Sequence, residues 1–406
     1  MFKSMINPDL SGKKIVIIVL LSIALTSLLL AEEPKVEEIS LDDLLTNYLP
    51  DYDIIKQIQL EGIGRDFAVA KETGEIVAVT EIGNLFKVYF LDKIGNLQWE
   101  KEISGKGYET KCSISDNGKA IVITNYISED ALNTVLDNSG NILFERKLKD
   151  IKLKPIPNGQ FFYEEIGMMA NREKGVYIYD RSGDEIELTG FDFSNKKDIR
   201  LEFLNNRQII AYMDKKFVFF EYFNGYFKSV WIYQLTEEES MGHFFHDSIL
   251  INNERIFISH HRLKLKTIVF SYNGEIIHSE KNYYDSFSYL NNKELVVYSN
   301  SINGVIHKLV NFDTDDTVEL SSPSIFNSMK KGKYFENAIK IDQAIFYTIR
   351  RFSWDKENFS TLITPLGCYN LNTSYYHFQM NDSILKLFKE NYGVAELILL
   401  GGNYEN

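Results

Sequence analysis

The residues best suited to chemistry are histidines in two short segments, MGHFFHD and ISHHR. The first carries His243, His246 and Asp247, and the second carries His260 and His261. Imidazoles can bind a metal ion or titrate near neutral pH. Adjacent residues of a regular strand point to opposite faces, so His260 and His261 cannot both point the same way. We therefore regard His243, His246, His260 and His261 as weak candidates for metal binding and predict no metal site.

A second set of residues suits recognition of a partner. In the repeat described below, the connection into the first strand of each unit and the connection between its second and third strands leave the same face. Trp354, beside Arg350 and Arg351 in RRFSWDKEN, is the strongest anchor, because tryptophan and arginine often dominate binding energy. Covering a strand edge is the alternative role for this tryptophan. The predicted partner-binding residues are Arg65, Tyr108, Tyr126, Arg172, His246, His261, Asn303 and Trp354.

The sequence lacks the motifs of common enzymes. We find no nucleophile elbow, phosphate-binding loop, paired metal-binding histidines on a helix or calcium loop. The acidic segment FDTDDTVE lacks the glycine and the distal glutamate of a calcium loop, which favours a solvated turn. Cys112 and Cys368 lie far apart and suit buried thiols better than a disulfide framework. No catalytic residue and no cofactor is predicted.

The elements that position these residues belong to a repeat. Asp92–Gly95, Asp137–Gly140 and Asp180–Gly183 share the pattern strand, Asp-x-x-Gly, strand. Aspartate can accept hydrogen bonds from its own downstream amides, and glycine supplies the left-handed conformation of a tight hairpin. Looser copies follow at 222–225, 271–274, 313–316 and 364–367. Other hairpin signals lie between them, at 72–74, 116–118, 157–159, 205–206, 252–253, 291–292 and 342–343.

Each unit therefore contains four strands and recurs about every 45 residues, which is the period of a β-propeller blade. One such sheet cannot bury both of its apolar faces, and stacking blades in a closed ring covers them. Trp99 and Phe144 are predicted to lie on outermost strands and to fill the gaps between blades. The predicted fold is all-β, a β-propeller of seven four-stranded blades over residues 53–406.

Eight blades are the alternative, with a last blade that is a composite of both termini. Residues 53–60 look like an outermost strand without a blade of its own. Residues 383–390 and 394–400 look like one more inner hairpin. Pairing these segments would latch the ring with both ends of the chain.

The segments DNSGNILFE and DKIGNLQWE resemble the PQQ-like repeats of quinoprotein propellers, and SISDNGKAIV resembles the inner hairpin of WD40 blades. The resemblance covers most of residues 61–377 and implies a ring of antiparallel blades. It does not extend to quinone binding, because the chain has no adjacent cysteine pair and no convincing set of calcium ligands. The repeats also lack the Gly-His…Trp-Asp network of WD40 domains.

The N-terminal sequence predicts export. Lys13 and Lys14 precede an uncharged run at 15–30, which is followed by Ala31 and two glutamates, the order found in a secretory signal peptide. Cleavage would remove residues 1–31, and an uncleaved membrane anchor is the alternative. The predicted location is periplasmic or extracellular, with residues 15–30 as a membrane tether if they are retained.

A linker with a short amphipathic helix is predicted over residues 32–52. Ser40 and Asp43 form a capping pattern, and Pro50 ends the helix. We expect this helix to pack on the propeller, and partner docking is the alternative.

Composition narrows the function. The formal net charge of −13 argues against nucleic acid, which requires a basic surface. The favoured function is a non-catalytic module that binds a protein or peptide partner through one loop face. The alternatives are a propeller enzyme or cofactor carrier, which includes a hydrolase or lyase acting on extracellular polymer, and a binder of glycans or small ligands.

Overall fold

The structure is a computed structural model that describes a helix and 34 strands together with many of their turns. The described residues are 37–39, 41–47, 52–104, 107, 109–149, 151–166, 177–192, 200–203, 205–213, 216–234, 248–251, 255–260, 266–271, 273–280, 286–289, 294–301, 304–311, 316–320, 333–341, 344–351, 359–364, 367–371, 375–381, 384–389 and 394–402.

The described strands group into eight sheets, here called blades 1 to 8 in chain order. Blade 1 contains β3 (Ile63–Val69), β4 (Ile76–Ile82), β5 (Leu85–Leu91) and β6 (Leu97–Ser104), and blade 2 contains β7 (Glu109–Ile114), β8 (Ala120–Ile127), β9 (Asp130–Asp137) and β10 (Ile142–Lys149). Blade 3 contains β11 (Ile151–Pro155), β12 (Phe161–Ile166), β13 (Ile178–Asp180) and β14 (Glu185–Ile186). Blade 4 contains β16 (Arg200–Phe203), β17 (Gln208–Met213), β18 (Lys216–Phe223) and β19 (Tyr226–Gln234).

The remaining blades follow the same order. Blade 5 contains β20 (Ser248–Ile251), β21 (Arg255–His260), β22 (Lys266–Ser271) and β23 (Ile276–Glu280). Blade 6 contains β24 (Ser286–Tyr289), β25 (Glu294–Ser301), β26 (Gly304–Asn311) and β27 (Asp316–Leu320). Blade 7 contains β28 (Lys333–Ile341), β29 (Ala344–Arg351), β30 (Phe359–Thr364) and β31 (Gly367–Leu371). Blade 8 contains β32 (Tyr375–Asn381), β33 (Ile384–Lys389), β34 (Val394–Gly402) and, as its outermost strand, β2 (Tyr52–Glu61).

Blade 8 joins the two ends of the chain. β2 pairs antiparallel with β34, with Ile54 opposite Leu400 and Glu61 opposite Val394. This is the composite sheet of the eight-blade alternative, with one correction. Residues 384–389 and 394–402 are the second and third strands of the blade, because β32 precedes them as its innermost strand. The number of blades in the whole ring stays a prediction.

Two short strands extend the outer edges of blades and were not predicted. β1 (Glu37–Ile39) pairs in parallel with β31 of blade 7. β15 (Leu188–Thr189) pairs in parallel with β19 of blade 4. The short helix α1 (Leu41–Asn47) follows β1 and leads to β2, at the position expected from the capping pattern. In the described part of the chain, no helix has the length and apolar character needed to cross a membrane.

The Asp-x-x-Gly turns have the predicted chemistry. In the turn between β9 and β10, Asp137 Oδ1 accepts hydrogen bonds from the amides of Ser139 and Asn141, each at 2.9 Å. Gly140 has a φ of +81° and donates its amide to the Asp137 carbonyl at 3.1 Å. The turns at Asp92 and Asp180 repeat this geometry.

Aromatic residues of the preceding blade cover two of these turns, whereas Ile58 of β2 covers the third at Gly95. Trp99 of β6 packs on Gly140, and Phe144 of β10 packs on Gly183. The prediction that these two aromatic residues fill the gaps between blades is confirmed. Trp231 of β19 covers Gly274 in the same way, although blade 4 was only a loose copy of the repeat.

Contacts between neighbouring blades connect the described strands into a ring. Buried clusters join blade 8 to blade 1, blade 1 to blade 2, blade 2 to blade 3 and blade 3 to blade 4. Phe217 and Trp231 of blade 4 contact Phe270 of blade 5. The first strands β20, β24, β28 and β32 contact one another in turn, and β32 contacts β3 of blade 1. Blades 1 to 4 are therefore covered on both sides by their neighbours, as the repeat requires.

Candidate functional site

The ring has two unlike faces. Turns between first and second strands, and between third and fourth strands, leave one face, which we call the turn face. Connections between second and third strands, and from one blade to the next, leave the opposite face, which we call the loop face. This distinction follows from the antiparallel strand order of every blade.

The turn face is joined from blade to blade by hydrogen bonds. The Glu72 amide donates to the Asp116 carbonyl at 2.8 Å, and the Asn117 amide donates to the Pro157 carbonyl at 3.1 Å. The Asn158 amide in turn donates to Asn206 Oδ1 at 2.7 Å. These bonds use the polar groups of the turns within the fold, so the turn face of blades 1 to 4 is a poor site for a partner.

The loop face at the junction of blades 1 and 2 is different. Arg65 lies at a bulge in β3, and its guanidinium pairs with the carboxylate of Glu81 at the end of β4. The Arg65 Nε atom is buried and has no hydrogen-bond partner among the described residues. The ion pair holds the arginine in place, and one of its donors is not used by the described residues.

Thr110 and Asn125 face Arg65 and Glu81 across this junction. They are Cα partners on β7 and β8, so their side chains share one face of blade 2. This is the face of Cys112 and Ile123, which pack in the buried cluster shared with blade 1. The exposed fractions of Thr110 and Asn125 are 2% and 4%. Within the described part of the chain, the Thr110 hydroxyl and both polar atoms of the Asn125 amide lack a hydrogen-bond partner.

Gly107 brings the incoming chain directly over this pair. A Cβ atom at Gly107 would lie 1.7 Å from Asn125 Oδ1 and 2.8 Å from the Tyr126 carbonyl oxygen. Only glycine can approach so closely. Arg65, Glu81, Thr110, Asn125 and the Tyr126 carbonyl all lie at the loop-face ends of their strands at the blade 1–2 junction, and we call this set the rim cluster.

Charged groups at the same end of blade 1 are paired with one another. Lys87 Nζ lies 3.0 Å from Glu100 Oε1 and 3.3 Å from Glu61 Oε2. The hydrogen bond to Glu100 is the main cause of a raised pKa at Lys87, against an opposing effect of burial. Lys87 therefore stays charged at neutral pH and links the outer strand of blade 8 to blade 1.

Cys112, a free and half-buried residue beside the rim cluster, has a thiol whose ionisation is disfavoured. Burial, followed by the nearby Asp66 carboxylate, raises the pKa of Cys112 well above its ordinary value. The Asp66 carboxylate accepts a hydrogen bond at 2.9 Å from the Cys112 amide of the next blade. This hydrogen bond joins two blades through the main chain of Cys112.

Of the predicted partner-binding residues, the structure describes Arg65, which pairs with Glu81 at the blade 1–2 junction, and Tyr126, whose carbonyl lies beside Gly107. Their role in partner binding stays a prediction. The others lie outside the described residues: Tyr108, Arg172, His246, His261, Asn303 and Trp354. Among the weak metal ligands, His260 ends β21, and its backbone alone is described. The described residues contain no group of His, Cys, Asp and Glu that could hold a metal, and the histidine prediction falls outside them.

The sequence analysis missed Thr110 and Asn125, although a signal was present. Residues 110, 112 and 114 alternate along β7, and 121, 123 and 125 alternate along β8, with apolar or sulfur-bearing side chains at the other positions. A polar residue where the alternation predicts a core position indicates an unusual environment.

Comparison with known proteins identifies the fold and no family. No family model matches the chain, and no curated protein matches it. BamB from Moraxella catarrhalis superimposes with a TM-score of 0.54 at 12% identity, over 86% of this chain and 99% of that one. The C-terminal WD40 domain of Sif2 gives a TM-score of 0.50 at 10% identity, over 86% and 97%. The chain is a β-propeller. At these identities the likeness to BamB and to a WD40 domain shows the architecture alone, as the PQQ-like and WD40-like segments implied.

Proposed function

We propose that this protein is an exported, non-catalytic β-propeller that binds a protein or peptide partner through its loop face. The observation that carries the proposal is the Asn125 amide, whose donor and acceptor are both buried and both unused by the described residues. A buried polar group without a partner costs about 1–3 kcal/mol, so a fold keeps such groups where something else satisfies them.

The chemistry of the rim cluster favours a peptide. A carboxamide presents a donor and an acceptor side by side, which matches the acceptor and donor of a main-chain peptide group. The Thr110 hydroxyl can act in either role, and Arg65 Nε adds a donor. The paired guanidinium of Arg65 gives the cluster no free charge to attract a small anion.

The rest of the loop face supports the same function. The strands that flank the long connections at 167–177, 235–247, 321–332 and 352–358 all end on this face. Loops on a rigid scaffold commonly carry recognition residues. Export rests on the basic, apolar and small residues of the N-terminal sequence.

The proposal is tested with the double variant Thr110→Val and Asn125→Leu, which keeps the side-chain shapes and removes the unused polar atoms. The partner is recovered by affinity purification from an envelope extract of the native source. We expect the variant to lose the partner while its Tm stays equal to or above that of the wild type, because it removes no hydrogen bond to a described residue. The matched control is Lys93→Ala, an exposed change in an Asp-x-x-Gly turn of the turn face, which should retain the partner.

Two results would count against this function. A clearly lowered Tm in the double variant would show that Thr110 and Asn125 support the fold of the free protein. Equal recovery of the partner by the double variant and the wild type would remove the rim cluster from the binding site. Trp354→Ala and deletion of residues 33–50 test the other predicted contacts in the same assay.

A further inference from the structure

The hairpin turn between β18 and β19 in blade 4 differs from the turns at the same place in blades 1 to 3. Phe223 and Tyr226 are Cα partners, so Asn224 and Gly225 alone form the loop. Their φ values are +50° and +96°, as a two-residue Asn-Gly hairpin turn requires. Blades 1 to 3 instead use the Asp-x-x-Gly turn, in which the aspartate anchors the loop through its own hydrogen bonds.

This turn of blade 4 is also open to solvent. Four residues after the turn glycine, blades 1 and 2 carry Trp99 and Phe144, which pack on the turn of the next blade. Blade 3 carries Glu187 at that position, and this residue is exposed. Asn224 and Gly225 are exposed as well, and a Cβ atom at Gly225 would meet nothing within 4 Å.

An asparagine that is followed by glycine can lose its side-chain amide without an enzyme. The glycine main-chain nitrogen gives up its proton and attacks the asparagine Cγ, so that an N–Cγ bond forms, the Cγ–Nδ2 bond breaks and ammonia leaves. Water then opens the resulting five-membered ring at either carbonyl, which gives aspartate or isoaspartate. Glycine favours the attack because it has no side chain to obstruct its nitrogen. Hydrogen bonds that hold either group in place oppose it.

The sequence contains five Asn-Gly pairs, and the structure describes four of them in full, at 117–118, 158–159, 224–225 and 273–274. The first pair is held firmly. Asn117 Oδ1 accepts hydrogen bonds from the Ser115 hydroxyl at 2.9 Å and the Lys119 amide at 3.1 Å. Asn117 Nδ2 donates to the Asn158 carbonyl at 2.9 Å, and the Gly118 amide donates to the Ser115 carbonyl at 2.9 Å.

The second pair is held in a similar way. Asn158 Oδ1 accepts a hydrogen bond from the Gln160 amide at 3.0 Å. The Gly159 amide donates to the Ile156 carbonyl at 2.9 Å. A Cβ atom at Gly159 would lie 2.8 Å from Ala120 Cβ, so this turn is also closely packed. Both reacting groups are therefore restrained at 117–118 and at 158–159.

The other two pairs are less restrained. Asn273 is exposed, but the Gly274 amide donates to the Ser271 carbonyl at 3.0 Å, and Trp231 packs on Gly274. In the described part of the chain, neither the carboxamide of Asn224 nor the amide of Gly225 has a hydrogen-bond partner. The pair in blade 4 is thus the one in which both reacting groups are free.

We propose that Asn224 is a site of spontaneous deamidation, which proceeds in the folded protein while the Asn-Gly pairs at 117–118 and 158–159 are protected. The reaction requires water and no cofactor. The products add a negative charge to the turn, and isoaspartate also inserts one carbon into the main chain of the loop, which disturbs the pairing of Phe223 with Tyr226. The turn lies on the turn face, so its conversion is independent of the rim cluster and of partner binding.

The test follows the four pairs by mass spectrometry after incubation of the full-length protein at neutral pH and digestion in acid. In native buffer we expect Asn224 to convert at least about tenfold faster than Asn117 and Asn158, with Asn273 between them. In guanidinium chloride the four should convert at similar rates, because the fold no longer restrains them. Both aspartate and isoaspartate should form at Asn224, since water can open the ring at either carbonyl.

Gly225→Ala places a side chain beside the attacking nitrogen and should slow the conversion of Asn224 by at least about tenfold. Gly83→Ala is the matched control. Gly83 also has a positive φ, +63°, and open space around it, but it does not follow an asparagine, so Asn224 should convert at the wild-type rate.

Four results would each overturn the proposal. Asn224 could stay intact in native buffer, or Asn117 could convert as fast as Asn224. The advantage of Asn224 could be equally large in guanidinium chloride, which would assign it to the neighbouring sequence and not to the fold. A product that contains aspartate alone would indicate direct hydrolysis of the carboxamide without attack by the Gly225 nitrogen.

Discussion

The indole N–H of Trp99 donates a hydrogen bond at 2.8 Å to the carbonyl of Asn138 in the next blade. The ring of Trp99 lies against Gly140 of the same turn, and the amine of Lys101 donates to the Gly140 carbonyl at 2.7 Å. Phe144 and Arg146 form the corresponding contacts with Gly183. One aromatic residue and one cation thus fasten each of these outer strands to the turn that follows it around the ring.

Trp99→Ala should lower the free energy of unfolding by about 2–4 kcal/mol, because it removes a half-buried ring and leaves a gap beside Gly140. Trp99→Phe keeps much of the packing and should cost about 1 kcal/mol, the value of one hydrogen bond. Urea denaturation measures both. Leu97→Ala, on the exposed side of the same strand, should change stability by less than about 0.5 kcal/mol. A loss of unfolding free energy in Trp99→Ala as small as that in Leu97→Ala would show that the contact of Trp99 with the next turn does not stabilise the ring.

The turn glycines separate backbone strain from packing. Gly183 and Gly225 have φ values of +85° and +96°. A Cβ atom at Gly183 would lie 2.9 Å from Phe144 Cγ, whereas a Cβ atom at Gly225 would meet nothing within 4 Å. We expect Gly225→Ala to cost about 1–2 kcal/mol from the left-handed backbone alone, and Gly183→Ala to cost clearly more. Thermal and urea unfolding of the two variants should rank them in this order, and the reverse order would contradict the packing seen at Gly183.

The three turn aspartates should make the fold sensitive to acid. Burial acts to raise the pKa of Asp92, Asp137 and Asp180, but hydrogen bonds from neighbouring amides and side chains outweigh it and lower each pKa below its ordinary value. A carboxyl with a lowered folded-state pKa contributes stability that is present above its unfolded value and is lost as the pH falls through the folded value. We therefore expect the free energy of unfolding to fall below about pH 4.

The triple variant Asp92→Asn, Asp137→Asn and Asp180→Asn should show a shallower loss of stability in this range, because asparagine does not titrate. Urea denaturation at a series of pH values gives the slope of unfolding free energy against pH for the wild type and for the triple variant. Asn141→Ala, which removes a 3.0 Å hydrogen bond to Asp137, should reduce the slope by a smaller amount. Identical slopes for the wild type and the triple variant would show that other carboxyls control the acid response.

Closure of the ring should depend on the last strand. The Glu61 carbonyl at the end of β2 accepts hydrogen bonds from Thr80 at 2.6 Å and from Tyr89 at 3.3 Å. Removal of residues 394–406 takes away β34, to which β2 is paired, so we expect loss of cooperative unfolding and aggregation. Removal of residues 403–406 alone leaves β34 in place and should have little effect. Circular dichroism and gel filtration distinguish these outcomes. A truncated protein that lacks β34 and still unfolds cooperatively as a monomer would show that ring closure does not depend on the pairing of β2 with β34.

The sequence predicted those features that local chemistry determines. Asp137 and Gly140 define a turn within four consecutive residues, and the spacing of such turns gave the blade period and the position of Trp99. Features that depend on distant pairing were missed. β1 and β15 have three and two residues and pair in parallel with strands far away in sequence, so neither has a periodicity of its own. Part of the predicted site, including Trp354 and His243, lies outside the described residues.

Asn125 shows why the rim cluster could not be predicted in full. Its position in the alternation marks a core-facing residue, but its lack of a hydrogen-bond partner depends on Thr110, Gly107 and the neighbouring blade. Only the assembled junction shows that the amide is enclosed and unused. Position along a strand could be read from the sequence, and the environment of the side chain could not.

The pairing of β2 with β34 also constrains the order of synthesis and folding. β2 is made long before β34, so all of the chain between them must be synthesised before this sheet can form. Until then, a strand near the start has an open edge and blade 1 has one bare side. A newly made chain therefore needs protection from other chains until β34 has been made, and loss of β34 keeps the chain in that exposed state.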